Sequence, residues 1–380
     1  MAFRARRAKR RATPMPLARI TLQDFRNHAH SELVETAHFN LLVGPNGAGK
    51  TNVLEAISLL APGRGLRRAQ LSDLARQERS DEFPRPFAIG ASLVEQGQVS
   101  ARLGTYTRAE QPGRRLVRIN AAEATASALS EWHAMSWLTP AMDGLFTDSA
   151  GARRRFIDRM ALAIEPGHAR SVNQLEGALR ERNRLLEEGR EARWLDAVEA
   201  QVADAGAQVV ATRARLVTLL GEELSTFPPE PFARPILAYR PGGPIARDDL
   251  AASLSSARAR DRAAGRALTG PHRDELDVVM MRRDGSAGQP AAACSTGEQK
   301  AMLIAITLAH GVLAASGRPS VLLLDEVAAH LDPVRRAALF RKLGAGRAQV
   351  WMTGTEIAPF GEIASEAAVW KVTDGALAPL

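Results

Sequence analysis

A chain of 380 residues can hold one large domain or two medium ones, and its 45% of hydrophobic residues are enough for a sizeable core. Its one cysteine, Cys294, excludes a disulfide framework and a cysteine-based metal site, and it fits a reducing cytosol. The net charge is +8, and no apolar run approaches the ~18 residues of a membrane span, so no membrane partner is expected.

Most of that charge sits at the start. Residues 1–14 carry Arg4, Arg6, Arg7, Lys9, Arg10 and Arg11 and no acid; without them 44 basic residues face 42 acidic ones, a net of +2. No apolar stretch follows this basic start, so it is not a secretory signal. It reads as a disordered tail or an upstream start codon that is not used; the competing reading is a nucleic-acid-binding arm. Ordered structure is expected from Met15. Leu17 to Leu22 alternate as a strand that ends at Phe25-Arg26-Asn27.

A second strand, Phe39 to Val43, leads into Gly44, Pro45, Asn46, Gly47, Ala48, Gly49, Lys50 and Thr51, which fits G-x-x-x-x-G-K-[ST]; helix-compatible residues run from Asn52 to Leu60. Such a loop works by geometry. Its glycines let backbone N–H groups turn inward around a phosphate, and the helix N-terminus adds partial positive charge. Lys50 then reaches the β- and γ-phosphates of ATP, Thr51 holds Mg²⁺, and Gly44 to Asn52 line the nucleotide. The plainer alternative is a Gly-rich strand-to-helix turn, against which the flanking elements argue.

Residues 87–120 read as an antiparallel meander with turns at Gly97, Gly104 and Pro112-Gly113. From about Ala150 helical periodicity takes over. Leu195, Val198, Val202, Ala205, Val209, Thr212, Leu216 and Leu219 keep a 3-4 spacing, and Val172, Leu175, Leu179 and Leu186 a similar one, with Glu187-Glu188-Gly189-Arg190 to turn the chain. Two antiparallel helices forming a stubby coiled-coil arm are expected, the alternative being an ordinary packed pair. The Pro-rich stretch Phe227–Pro244 carries one edge strand, Arg234 to Tyr239, and a polar helix runs to about Arg266. Asp277 to Met281 is a strand followed by a hairpin turn at Asp284-Gly285.

Val321-Leu322-Leu323-Leu324-Asp325-Glu326 reads as a buried parallel strand with two carboxylates at the end where ligands bind. Asp325 completes a Mg²⁺ shell, through water, and Glu326 acts as general base toward the attacking water, with Lys50 as its catalytic companion on the phosphates. The strand starts 270 residues after Thr51, so a large insert separates the halves. Ser295 and Glu298 form an S-x-x-E capping box ahead of an apolar helix, Ala301 to Leu313. A well-capped helix would account for that; Gly297 in its first turn also leaves backbone open to an anion.

Several segments carry a resemblance. Ser295, Thr296, Gly297, Glu298 and Gln299, followed by Lys300, resemble the signature that in ABC-type ATPases meets the γ-phosphate held by a second subunit, and Ala329-His330-Leu331-Asp332 resembles the D-loop at the same interface. Together with Phe25-Arg26-Asn27, the phosphate loop, Arg153-Arg154-Arg155-Phe156-Ile157-Asp158 and Gly270-Pro271-His272-Arg273-Asp274, in this order, the chain from Met15 onward resembles the RecF family of SMC-like ABC ATPases. The resemblance implies an α/β ABC-type head with an inserted helical arm: tail 1–14, head half 15–148, arm 149–266 and head half 267–380. It implies an ATP- and Mg²⁺-dependent DNA-binding protein of recombinational gap repair and replication restart, cytoplasmic and on the nucleoid. Such a protein dimerises on ATP, hydrolyses it slowly, binds double-stranded and gapped DNA, and helps load the recombinase with RecR and RecO.

Departures from the general ABC pattern narrow this. No histidine follows His330, so the usual switch histidine is missing, and Thr353 or Thr355 stands in its region. No aromatic residue is placed to stack on adenine. Arg153, Arg154 and Arg155 read either as a solvated helix face or as contacts to DNA phosphates. His272 and Arg273 read as turn chemistry or as groups near the nucleotide or a domain joint; His28, His30, His38, His133 and His168 lack metal-ligand spacing. A transporter subunit would need the histidine and a short insert. A structural SMC protein would need arms of hundreds of residues, against about thirty per helix here; another SMC-like DNA clamp stays open.

Overall fold

The computed structural model describes residues 17–77, 85–95, 97–228, 230–282, 285–315, 318–328 and 331–380. The basic tail and Met15, Asp284 of the expected hairpin turn, and Ala329 and His330 of the D-loop segment lie outside the described residues.

The first strands form an antiparallel sheet. β1 (Leu17–Phe25) pairs with β2 (His28–Leu33) and with β4 (Ala88–Glu95), after β3 (Phe39–Val43), α1 (Lys50–Ser58) and α2 (Leu71–Leu74) have intervened. β5 (Gln98–Arg108), β6 (Gln111–Ile119) and β7 (Ala122–Ala124) extend it in the order β2-β1-β4-β5-β6-β7. The meander is present, but Gly104 and Pro112-Gly113 lie within strands rather than at turns. Gly104 pairs with Gly90 and Arg118 in mid-sheet, and the ladder shifts register between Tyr106 and Arg108, which accommodates Pro112 nearby. α3 (Leu129–Trp132) and β8 (Ala134–Leu138) complete this half.

The helical segment follows: α4 (Ala150–Ile164), α5 (His168–Glu187) and the 34-residue α6 (Ala192–Ser225). Gly189, at φ 67, closes the α5–α6 turn in a conformation that favours glycine. Leu175, Leu179 and Leu186 meet Leu195, Val198, Val202, Ala205 and Val209, as the spacing predicts. Two features differ from a bare two-helix arm. β9 (Pro235–Arg240) leads to α7 (Arg247–Ser256) and α8 (Arg258–Ala264), and Leu250 and Leu254 of α7 join the same core. Gly206 allows this, because a side chain there would come within 2.9 Å of Leu250 Cδ2. Toward its end α6 changes company: Leu216, Val217, Leu220 and Leu224 belong to the core of the head. Arg182, fully buried, ties α5 to its neighbours by donating to Glu199 (2.9 Å), Asp261 (2.8 Å) and the Leu254 carbonyl (2.8 Å).

The chain then returns through β10 (Glu275–Met281) and β11 (Ala287–Pro290), which with edge strand β9 make a three-stranded sheet. α9 (Thr296–Ala314), β12 (Ser320–Leu324), α10 (Pro333–Ala345), β13 (Gln349–Gly354), β14 (Ala367–Thr373) and β15 (Ala376–Pro379) complete the fold. The central sheet runs β15-β14-β3-β13-β12-β8, parallel except for β15. Period-two alternation builds its two faces. Val321 and Leu323 pack with α1 and the antiparallel sheet, whereas Leu322 and Leu324 pack with α9 and α4. Gln349 joins the sheets, donating to the Leu17 carbonyl (3.0 Å) and accepting from the Leu17 N–H (3.2 Å).

Candidate functional site

The phosphate loop leaves the buried strand β3 and enters α1. Gly49 caps that helix at φ 112, and Gly47 has φ 82, both in the region that favours glycine. A side chain at Gly49 would press within 2.7 Å of Asn27. Asn27 braces the loop from the β1–β2 turn: its amide donates to the Ala48 carbonyl (3.0 Å) and accepts from Asn52 (2.8 Å). His28, buried beside it, bonds the Gly49 carbonyl (3.2 Å), and burial pushes its ring below the usual histidine range. Arg26 forks onto the buried Glu55 of α1 at 2.9 and 3.0 Å. Lys50 is buried and donates to the Gly44 (2.6 Å) and Pro45 (2.9 Å) carbonyls. Burial lowers its ammonium, against the attraction of Glu326 and Asp325.

The sheet order brings the second half alongside. β13 lies between β3 and β12, so the carboxyl ends of all three strands share one edge. There Thr51 donates to Asp325 Oδ1 at 2.9 Å, and Thr353, at the end of β13, donates to the same oxygen at 2.8 Å. The Thr353 hydroxyl also accepts the Glu326 N–H (2.8 Å). Asp325 is 6% exposed, and burial raises its carboxyl while the two hydroxyls oppose the shift. Glu326 has φ 54, a left-handed conformation uncommon outside glycine. Thr355 is exposed beyond the end of the strand.

A hydroxyl and one carboxylate are a hard-oxygen donor set. They fit Mg²⁺, which keeps several waters and takes substrate phosphates as further ligands. Among the described residues no group of three or more His, Cys, Asp or Glu side chains could hold a metal ion without such help.

The signature segment lies at the N-terminus of α9. Ser295 caps the helix and Glu298 returns the bond, its carboxylate 2.8 Å from both the Ser295 N–H and hydroxyl. Ser295, Thr296 and Gly297 are exposed. Gln299 is not on display: it is 6% exposed and its amide donates to the Cys294 carbonyl at 2.9 Å. Asp332 caps α10 by accepting from the Arg335 N–H (3.0 Å).

The three arginines of α4 divide. Arg153 forks onto Glu275 at 2.7 and 2.9 Å, and Arg154 donates to the Asp274 carbonyl at 2.8 Å. Three cations facing solvent therefore reduce to one, the exposed Arg155, because the other two tie α4 to β10 and the turn before it. The turn containing His272 and Arg273 belongs to the same junction. Arg213 of α6 donates to Asp158 and Asp274 at 2.8 Å and to the Pro271 carbonyl at 2.7 Å. His272 bonds the Ala267 carbonyl (2.8 Å), so it serves the base of the helical segment, and Arg273 is exposed.

Sequence reasoning marked Asn27 only as part of Phe25-Arg26-Asn27, without a role in the site, and did not find His28, Glu55 or Arg213 as site supports. Their partners lie 21 to 61 residues away, and no local pattern announces them.

Comparisons place this geometry among known proteins. The family described as RecF/RecN/SMC N terminal domain matches residues 16–374. The DNA replication and repair protein RecF of Brucella suis biovar 1 (strain 1330) is 44% identical over 382 residues, covering 97% of each chain. That of Mesorhizobium japonicum is 44% identical over 385 residues, covering 96% of this chain and 97% of its own. Among solved structures, the recombination mediator protein RecF with ATP, in the RecFOR pathway, superposes with a TM-score of 0.83 at 22% identity, covering 98% of this chain and 100% of that one. The Smc head domain of Pyrococcus furiosus, with an extended coiled coil and bound to the C-terminal domain of ScpA, gives 0.52 at 15% identity and 96% of both chains.

Proposed function

The chain belongs to the RecF family of the RecF/RecN/SMC N-terminal domain group, and from that premise we propose that it is a DNA replication and repair ATPase that uses ATP as a conformational switch on DNA. The observation that carries the reading is the bond from Thr51 to Asp325, which joins the phosphate loop to an acidic strand end 274 residues away. Gly44 to Asn52 bind the phosphates, with Lys50 as their cation. Thr51 and Asp325 hold the Mg²⁺, which neutralises phosphate charge when bound. Glu326 takes the proton of the attacking water.

One chain presents its phosphate loop and its signature as separate segments. In the ABC-type arrangement of this family, a nucleotide is held between the loop of one chain and the exposed Ser295, Thr296 and Gly297 of a second, where Glu298 caps the same helix end, with Asp332 at the same interface. ATP favours the dimer to the extent that it binds that state more tightly. The dimer grips double-stranded and gapped DNA through phosphates, with Arg155 as one contact. It assists recombinase loading with RecR and RecO in the cytoplasm, on the nucleoid. Turnover is slow, because the switch rather than the product is the output.

The test pairs light scattering with titration of labelled gapped and blunt duplex, with and without ATP, at several salt concentrations. The expected result is an ATP-dependent doubling of mass, and DNA binding that rises with ATP, prefers the gap and falls steeply with salt. A chain that stays monomeric in saturating ATP, or binds both duplexes equally with or without it, overturns the reading.

A further inference from the structure

The missing switch histidine leaves open what registers the two carboxylates against each other. We infer that Thr353 is the positioning residue of the hydrolytic step. The inference rests on the ATPase reading above.

A threonine hydroxyl has one proton to give and lone pairs to receive with. Here the proton goes to Asp325 Oδ1 at 2.8 Å, and the oxygen receives the Glu326 N–H at 2.8 Å. One buried hydroxyl therefore fixes both members of the acidic pair. Glu326 needs such an anchor: at φ 54 it sits in a conformation that a non-glycine residue keeps only when its surroundings enforce it. That conformation, two residues past the end of β12, sets the direction in which the side chain leaves the backbone. Thr353 is itself fully buried within β13. Its neighbour Gly354 is packed against the Phe360 ring so closely that a side chain would collide, and the Gly354 carbonyl accepts the Gly44 N–H of the phosphate loop at 3.2 Å. The end of β13 thus touches the phosphate loop, Asp325 and Glu326 together. Thr355 has none of these contacts in reach, because the strand ends at Gly354 and it faces solvent.

In the reaction, the oxygen of a water bonds the γ-phosphorus, the bond from phosphorus to the ADP oxygen breaks, and the proton of the water passes to Glu326. Thr353 touches none of those atoms. It sets the backbone from which Glu326 reaches them.

The test compares Thr353→Val, which keeps the shape and removes the hydroxyl, with Thr353→Ser, which keeps the hydroxyl. ATP affinity is read with a fluorescent nucleotide, and kcat from phosphate release. Thr353→Val should lower kcat by about tenfold or more while the ATP dissociation constant moves by less than about threefold. Thr353→Ser should recover most of the loss. If the valine chain does not fold, Thr353→Cys, with its weak donor and acceptor, takes its place with the same expected loss. Wild-type kcat in the valine variant, or an equal loss in folded serine and valine variants, overturns the role of Thr353. Glu326→Gln run alongside separates the two levels. If it turns over like wild type, the assignment of the base falls and the positioning role with it; if it is inactive while Thr353→Val is not, only the positioning role falls.

Discussion

The phosphate loop and the signature segment are both helix N-termini, and they are finished in opposite ways. α1 begins at Gly49 with no side chain capping it and no acid in its first turn. α9 begins at Ser295 with a complete capping box, the Glu298 carboxylate closed onto the serine it would otherwise present. The first helix end keeps its N–H groups for an anion, and the residues around it (Asn27, His28, Asp325, Thr353) hold it in that state. The second is satisfied within itself. A phosphate reaching Ser295 has to compete with Glu298 for the hydroxyl. Within one chain, then, the first helix end is left open to an anion and the second is closed on its own side chains; on the proposed reading the second opens only to a neighbour's nucleotide.

The difference can be broken at either end. The largest effect belongs to Glu326→Gln, which should lower turnover by about 10²–10⁴-fold while ATP binding persists, as expected for loss of a general base. Phosphate release and nucleotide titration on one preparation read both. Next, Lys50→Ala removes the charged donor of the loop and should weaken ATP binding by about ten- to a hundredfold, measured by the same titration. Unchanged affinity would mean that the loop's backbone alone holds the nucleotide.

Ser295→Arg should leave nucleotide binding by the single chain intact and abolish ATP-dependent dimerisation, followed by light scattering. Mixing it with Lys50→Ala sharpens the comparison. In a mixed dimer both defects fall in one composite site and the other site is whole, so turnover should return on mixing. No recovery would place both segments in the same subunit's site. The smallest effect is that of Glu298→Ala. It opens the capping box and should cost about 1 kcal/mol in thermal stability, with dimerisation retained. Loss of the dimer would show that Glu298 meets the neighbour directly.

How much of this was legible follows from the range of each interaction. The phosphate loop, the capping box and the acidic strand end are short patterns with local causes, and each stands where its pattern places it. The choice between Thr353 and Thr355 was not readable: two positions apart, they would share one face of a continuing strand, and only the end of β13 at Gly354 separates them. Arg153 resembles Arg155 in sequence, but Glu275, 122 residues on, draws it inward. β8 went unread because all five of its residues are buried and the run is too short to declare a period. In the helical segment the 3-4 spacing foretold the seam of α5 and α6. The backing by α7 did not show, since Leu250 and Leu254 stand alone in a polar helix.

α6 is one uninterrupted helix whose last turns lie inside the head and whose first turns lie at the far end of the helical segment. From Arg213, where it is pinned by Asp158 and Asp274, to Ala192 it extends about 30 Å at 1.5 Å per residue, so a 10° tilt at that pin would carry the far end by about 5 Å. Arg182 limits what kind of motion this can be. Its buried charge is matched to Glu199 and Asp261 on two other helices, and sliding α5 by one turn would strand it among apolar residues. Any tilt that keeps these bonds would therefore have to carry the helical segment as a unit, and a small rotation at the head would be a larger displacement at the tip.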